Sequence, residues 1–111
     1  MNSYIAKHRR ALSRRHYIRK ATSSNYWFDF SGRKLNSYRG HYGDDFCLVI
    51  LGSEVVDDSY IIPYEDAKCV FTEDAMDDRV RWIGTIVDDV LRLAGGDSLS
   101  VRTYYNAFNL L

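Results

Sequence analysis

Two short runs of branched and aromatic residues dominate the middle of the chain. Residues 46–51 are apolar throughout, which at this length favours a buried strand over a helix. A turn-forming segment begins at Gly52, and residues 59–62 form a second run of the same kind. Pro63 then ends this run, because proline has no amide hydrogen to donate to a strand ladder. The pattern therefore predicts an antiparallel hairpin around which the rest of the chain is organised.

The N-terminal segment has a different pattern. Residues 3–22 contain no proline or glycine and predict a helix, but bases interrupt its apolar stripe. We expect residues 1–22 to form a basic helical arm that orders against a phosphate backbone. The alternative is a solvated basic face that balances the acidic remainder of the chain. Residues 23–111 are expected to form a single α+β domain.

Short elements fill the rest of the chain. Residues 31–45 contain three glycines and predict a loop, which is either a contact loop for a binding partner or an ordinary exposed connection. Residues 81–94 fit a helical stripe as well as two strands; Gly84 and the branched residues favour strands at 81–87 and 90–93, joined at Asp88 and Asp89. Two more predicted elements are a strand at 26–30 and a helical turn at 65–71.

The predicted C-terminal element is a short amphipathic helix. Ser100 is its expected N-terminal cap, because serine oxygens accept hydrogen bonds from the first helical amides. The apolar residues after it recur at helical spacing: Tyr104, Tyr105, Phe108 and Leu111. The complete order predicts an α+β fold with a mostly antiparallel sheet of about five short strands, a basic N-terminal helix and a short C-terminal helix.

Composition narrows the class of protein. A chain of 111 residues, 46% of them hydrophobic, is long enough for one domain with its own core. It contains no apolar run that could span a membrane and no apolar segment typical of a secretory signal, so we expect an intracellular, cytoplasmic protein. Cys47 and Cys69 lack the close spacing of a zinc or redox motif and are expected to be buried free thiols.

Charge is distributed very unevenly. Residues 1–40 carry ten bases and one acid, Asp29, for a net charge of +9, whereas the other 71 residues carry five bases and fourteen acids, for −9. Such asymmetry predicts a polyanionic partner, here nucleic acid and most simply DNA. The residues predicted to bind it are Arg9, Arg10, Arg14, Arg15, Arg19, Lys20, Arg33, Lys34, Tyr38 and Arg39.

A possible catalytic set follows from the carboxylates around the hairpin. Asp44 and Asp45 precede its first strand, and the sequence Asp66-Ala67-Lys68 follows its second. This pattern resembles the PD-(D/E)XK, or restriction-endonuclease-like, superfamily over residues 3–87. The resemblance implies that Asp44 or Asp45, with Asp66, would hold Mg²⁺, and that Asp66 and Lys68 would be catalytic. The alternative for Glu65 and Asp66 is an acidic first turn of a helix, since Pro63 precedes them.

Three functions follow from these observations. The leading one is a small nucleic-acid-binding domain, in the setting of a restriction or nuclease system and without a cofactor. The second is a magnesium-dependent DNA endonuclease, so enzymatic activity stays open. The third is a protein interaction module, whose acidic part meets a basic partner or whose oppositely charged regions join copies into a homo-oligomer.

Overall fold

The computed structural model describes residues 15–22, 26–52 and 58–110. Within these ranges, seven strands form two sheets, and the longest helix has 11 residues. The predicted α+β class with mostly antiparallel pairing is confirmed, although the strands exceed the predicted five and divide between two sheets. None of the helices in the described ranges is long and apolar enough to cross a membrane.

The first sheet contains the predicted hairpin. Its strands are β1 (His16–Lys20), β3 (Cys47–Leu51) and β4 (Ser59–Pro63), in the order β1-β3-β4. Strands β3 and β4 are antiparallel, with Leu48 opposite Ile62, and β4 ends at Pro63 as predicted. Strand β1 is parallel to β3 and pairs Tyr17 with Leu48. The hairpin prediction is therefore confirmed, and β3 is the central strand.

The second sheet is antiparallel throughout. Its strands are β2 (Phe28–Ser31), β5 (Arg81–Val87), β6 (Val90–Leu93) and β7 (Ser98–Ser100), in the order β2-β5-β6-β7. The choice of two strands over one helix at 81–94 is confirmed. Asp88 and Asp89 join them with positive φ angles of 53° and 60°, as a two-residue type I′ turn requires.

Helical segments connect these strands. Helix α1 (Gly32–Tyr42) joins β2 to β3, and the four-residue α2 (Tyr64–Ala67) follows β4 directly. Glu65 and Asp66 lie in the first turn of α2, as the alternative to a catalytic pair predicted. The described residues also form single 3₁₀ turns at Glu73–Ala75, Arg102–Tyr104 and Phe108–Leu110.

The main core lies between the two sheets. Aromatic rings from both sides meet there, with Phe28, Phe30 and Trp82 of the second sheet packed with Tyr17 and Tyr60 of the first. A smaller apolar cluster lies on the other face of the first sheet, and it consists of Val49, Leu51 and Ile61, with Ile18, Cys47 and Leu110 packed against it. Both faces of β3 are thus buried, which explains its continuous apolar sequence.

The helix predicted at 3–22 is wrong over its last part. His16–Lys20 form strand β1, and the preceding residues 3–14 lie outside the described ranges. The local pattern suggested a helix because it contains no information about β3. The backbone groups along the edge of that apolar strand require hydrogen-bonded partners, which a neighbouring strand provides. In β1, Tyr17 faces the main core and Ile18 the smaller cluster, so a strand buries both side chains.

The loop predicted at 31–45 is also wrong, because residues 32–42 form α1. The glycines that suggested a loop occupy three separate positions: the first helical residue, an exposed interior position and the C-terminal cap. Gly43, at the cap, has φ +64° and donates its N–H to the carbonyl of Arg39 at 2.8 Å. Glycine at this point ends a helix favourably, since it has no Cβ to oppose a positive φ.

Two further expectations need correction. Ser100 is the last residue of β7 instead of a helix cap, and 3₁₀ turns replace the predicted C-terminal helix. Pairing with β6 satisfies the backbone at 98–100, so no helix begins there. Both cysteines are free as expected, but neither is fully buried: Cys47 is half-buried in β3, and Cys69 is exposed in the turn after α2.

Candidate nucleic-acid interface

Helix α1 has caps at both ends. The side chain of Ser31 accepts a hydrogen bond from the backbone N–H of Lys34 at 3.3 Å, which is the usual N-terminal cap. Gly43 closes the other end. Between the caps, Leu35 is completely buried and Tyr38 and Tyr42 are half-buried, so one side of the helix packs on the domain. The opposite side faces solvent.

A row of aromatic rings fixes the helix in place. The Tyr38 ring stacks on Tyr17 at 5.1 Å between centroids and on Phe46 at 5.4 Å, and Phe46 stacks on Tyr64 at 4.6 Å. The Tyr38 hydroxyl also donates to the carbonyl of His16 at 3.3 Å. Because neighbouring rings occupy its stacking surfaces, Tyr38 anchors the helix and is not placed to stack on a nucleic-acid base.

The exposed side of α1 is basic. Arg33, Lys34 and Arg39 are all exposed, and the 11-residue helix contains no acid. None of these three side chains forms an ion pair with a carboxylate of the described residues. The Lys34 ammonium lies 5.2 Å from the centre of the Tyr17 ring, which holds it on the side of β1. The helix therefore presents three cations that form no ion pair with an acid of the described residues.

Other predicted phosphate contacts are engaged with acids. Arg15 forms a 2.6 Å ion pair with Asp45 and lies 5.6 Å from the centre of the Tyr42 ring. Arg19 bonds both the carboxylate of Asp29 at 2.6 Å and its carbonyl at 2.9 Å, a contact between β1 and β2. Lys20 is exposed at the end of β1. The remaining predicted contacts, Arg9, Arg10 and Arg14, lie outside the described residues.

A polar cleft borders one flank of α1. Its volume is about 350 Å³, and its lining includes Asn36 and Arg39 from the helix and, from outside the helix, Tyr64, Lys68, Thr72 and the two acids Asp44 and Glu73. Burial raises the pKa of the Tyr64 hydroxyl, and the charge of Asp44 adds to this effect, while the nearby charges of Arg39 and Lys68 act in the opposite direction. Both cations therefore lie close to the same hydroxyl group.

The predicted catalytic residues are only partly brought together. Lys68 contacts Asp44 at 2.6 Å, but Asp45 pairs with Arg15, and Asp66 accepts a 2.8 Å hydrogen bond from the Tyr104 hydroxyl. Asp66 and Lys68 do not alternate along a strand, since Asp66 lies in α2 and Lys68 caps it. Within 15–22, 26–52 and 58–110, no three His, Cys, Asp or Glu side chains are grouped closely enough to hold a metal ion.

The sequence prediction missed several residues of this surface. Asn36, Ser37, Gly40 and His41 lie on the exposed part of α1 or on its flanks, but a loop assignment gave them no common side. The signal that identifies the helix is present in the sequence. Leu35, Tyr38 and Tyr42 are spaced three and four residues apart, with a serine cap before them and a glycine after them.

Comparison with protein-family models, with curated proteins and with solved structures gives no match for this chain.

Proposed function

We propose that this protein is a nucleic-acid-binding domain that contacts the phosphate backbone, with DNA as its ligand. The observation that supports this most directly is the exposed side of α1, where Arg33, Lys34 and Arg39 form no ion pair with an acid among residues 15–22, 26–52 and 58–110. Unpaired cations on one element attract a polyanion, because binding releases the counterions that surround the phosphates. The bases at 7–14 would extend the same contact.

Bases that form an ion pair with a carboxylate and bases that do not differ in how much they can contribute to the affinity for DNA. A base already bonded to a carboxylate, such as Arg19 with Asp29, has to lose that bond before it gains a phosphate. The α1 cations have no such bond within the described residues, and apart from the contact of Lys34 with the Tyr17 ring they lose water and counterions. We therefore assign the larger share of affinity among the described residues to α1, and a smaller share to Arg15 and Arg19.

The test measures binding to a labelled duplex by fluorescence anisotropy over a range of salt concentrations. As the salt concentration rises, we expect the affinity for the duplex to fall by several powers of ten if the protein contacts about six to nine phosphates. Replacing Arg33, Lys34 and Arg39 together by glutamine should reduce the slope of log affinity against log salt by about three. The matched control replaces Arg79, Arg92 and Arg102, which are exposed bases outside α1.

Two results would contradict this proposal. One is a binding curve that hardly changes with salt, and the other is an equal loss of affinity in the α1 variant and its control. Salt-sensitive association of the protein with itself, without affinity for nucleic acid, would support the interaction module instead.

A magnesium-dependent DNA endonuclease is the second candidate, and the pair of Asp44 and Lys68 is the observation that favours it. An aspartate beside a lysine is one part of the arrangement that the PD-(D/E)XK resemblance implies. The test incubates duplex DNA with the protein and Mg²⁺ or Mn²⁺. Cleavage that disappears in both Lys68→Ala and Asp66→Ala, while binding persists, would replace the binding domain by the nuclease as the leading function.

A further inference from the structure

Helix α1 lies between two depressions in the protein surface. The cleft on one flank has about 350 Å³ and includes Asn36 and Arg39. A shallower groove of about 230 Å³ runs along the other flank and is lined by Ser37, Tyr38, His41 and Tyr42. The exposed side of the helix therefore stands out between two lower regions, which gives it the shape of a ridge.

Small side chains occupy much of the top of this ridge. At about 100° per residue, Arg33, Ser37 and Gly40 point to the same side of α1, opposite the buried Leu35. A Cβ added to Gly40 would meet no atom within 4 Å. Another surface can thus approach the helix backbone closely at Gly40, while Arg33 and the neighbouring Asn36 offer polar groups to it.

Cations lie on both flanks of the ridge. Lys34 points toward Tyr17 of β1, whereas Arg39 lines the cleft on the opposite flank together with Lys68 and the acids Asp44 and Glu73. The shorter arc between Lys34 and Arg39 around the helix axis is about 140° and contains the buried Leu35, so across the exposed side the two residues lie about 220° apart. A ligand contacted by both must therefore bring negative charge to two sides of the helix at once.

Duplex DNA in the B form has this distribution of charge. Its major groove is about 12 Å wide, enough for one helix, and a phosphate backbone forms each wall. An 11-residue helix is about 16 Å long and can follow the groove over several base pairs. In the A form adopted by duplex RNA, the major groove is too deep and narrow for a helix to read. Single strands have no groove.

We infer that α1 inserts into the major groove of B-form DNA, with Lys34 and Arg39 on the two backbones and Arg33 and Asn36 toward the base edges. Arginine pairs with the O6 and N7 atoms of guanine and asparagine with the N6 and N7 atoms of adenine, so these two side chains select the sequence. This inference rests on the proposed nucleic-acid binding and specifies its ligand.

The first experiment compares three ligands of one sequence: duplex DNA, duplex RNA and single-stranded DNA. The 111-residue chain is titrated into each at the same salt concentration. We expect duplex DNA to bind at least about tenfold more tightly than the other two, since only its groove admits the helix. Equal or tighter binding of duplex RNA or of the single strand overturns the inference and leaves nucleic-acid binding intact. Absence of binding to all three overturns both.

The second experiment changes the ridge without changing its charge. Gly40→Leu places a bulky side chain where the inserted helix would approach the DNA, and Gly40→Ala is its matched control. We expect the leucine variant to bind duplex DNA at least about tenfold more weakly than the alanine variant, by roughly the cost of one lost base contact. Ala94→Leu, at an exposed position after β6, controls for added hydrophobic surface.

Folding of each variant is checked by thermal unfolding. Leucine and alanine are both favourable residues in an exposed helix, so both variants should unfold at or above the temperature of the original protein. If Gly40→Leu unfolds at a lower temperature, Ser37→Leu on the same side of the ridge replaces it. A folded leucine variant that binds duplex DNA as tightly as Gly40→Ala overturns the insertion of α1.

Discussion

The Lys68 ammonium lies 2.6 Å from the Asp44 carboxylate, and this bond joins the turn after α1 to the residue that caps α2. The hydrogen bond to Asp44 raises the pKa of Lys68 above its ordinary value, so the lysine stays charged at neutral pH. The carboxylate nevertheless cancels that charge at the edge of the basic surface. Asp44 thus holds Lys68 in place and weakens the electrostatic attraction beside Arg39.

Replacing Asp44 by asparagine should therefore strengthen nucleic-acid binding. The variant removes a negative charge beside α1 and leaves Lys68 able to contact a phosphate, so we expect about three- to tenfold tighter binding at low salt. The slope of log affinity against log salt should become steeper by about one, as expected for one additional phosphate contact. The control is Asp97→Asn, which removes an exposed acid on the loop between β6 and β7. An equal gain in both variants would show that net charge alone matters.

The two glycines of α1 should respond in opposite ways to alanine. At Gly40 an added Cβ meets open space, and alanine should stabilise the protein by about 0.5–1 kcal/mol through its helix propensity. At Gly32 the Cβ would lie 2.7 Å from the sulfur of Met76 and 2.9 Å from the carbonyl oxygen of Val80, so alanine should destabilise by about 1–3 kcal/mol. Urea unfolding measures both changes. Equal effects at the two positions would contradict the described environment of α1.

Stability at high pH should depend on Tyr60. Burial, together with the 2.6 Å hydrogen bond that its hydroxyl donates to Asp89, raises the pKa of Tyr60 well above its ordinary value. Above about pH 10 the unfolded chain loses this proton while the folded protein keeps it. The folded state then binds more protons, so stability is fully present below pH 10 and decreases as pH rises.

Tyr60→Phe tests this dependence. Below pH 9 the variant should be less stable by about 0.5–2 kcal/mol, because Asp89 loses its donor. Between pH 10 and 12 its unfolding temperature should fall less steeply than that of the original protein. Tyr105→Phe is the control, since Tyr105 is exposed and donates to Asp58 over a longer 3.1 Å. Parallel curves for the Tyr60 variant and the original protein would contradict the assignment.

Local sequence patterns were sufficient to predict those strands whose hydrogen-bonded neighbour lies nearby in the chain. The β3–β4 hairpin follows from two apolar runs, a turn segment and Pro63, all within 18 residues. Strands β5 and β6 are likewise joined by two residues, and their branched side chains outweighed a helical stripe of equal clarity. In both cases the hydrogen-bonded neighbour is a short turn away, so local propensity and tertiary pairing agree.

Prediction failed where the deciding partner is distant in sequence. Strand β1 pairs with β3 about 30 residues later in the chain, and nothing between residues 16 and 20 indicates that pairing. Helix α1 failed for another reason, because its three glycines were counted together as a loop signal. Gly43 caps the helix, Gly32 fits under Met76, and only Gly40 weakens the interior. Each glycine has its own environment, which composition cannot provide.

The same contrast between local and distant contacts applies to the residues of the candidate site. The sequence identified Arg33, Lys34 and Arg39 by charge alone, and the structure places all three on one exposed helix. It also grouped Asp44, Asp45 and Asp66 by their position around the hairpin. The structure separates them by giving each a different partner, namely Lys68, Arg15 and Tyr104. Which charges remain unpaired depends on side-chain contacts between distant elements, and a sequence pattern does not contain them.

Strand β1 limits how the basic N-terminal segment can be tested. Deleting residues 1–20 removes β1, including the buried Tyr17 that stacks on Tyr38, so we expect that deletion to unfold the protein. The separate basic arm predicted for residues 1–22 does not fit this arrangement, because His16–Lys20 form part of the first sheet. Substitutions in the 111-residue chain leave β1 in place and avoid the problem.

Replacing Arg9, Arg10 and Arg14 together by glutamine removes three positive charges ahead of β1. If these bases contact the same duplex as α1, the slope of log affinity against log salt should decrease by about three, as in the α1 variant. Combining the two triple variants should then decrease it by about six, because each neutralised phosphate releases its own counterions. Affinity at each salt concentration, measured by anisotropy, gives all three slopes. A slope unchanged by the N-terminal substitutions would confine the DNA contact to α1 and its flanks.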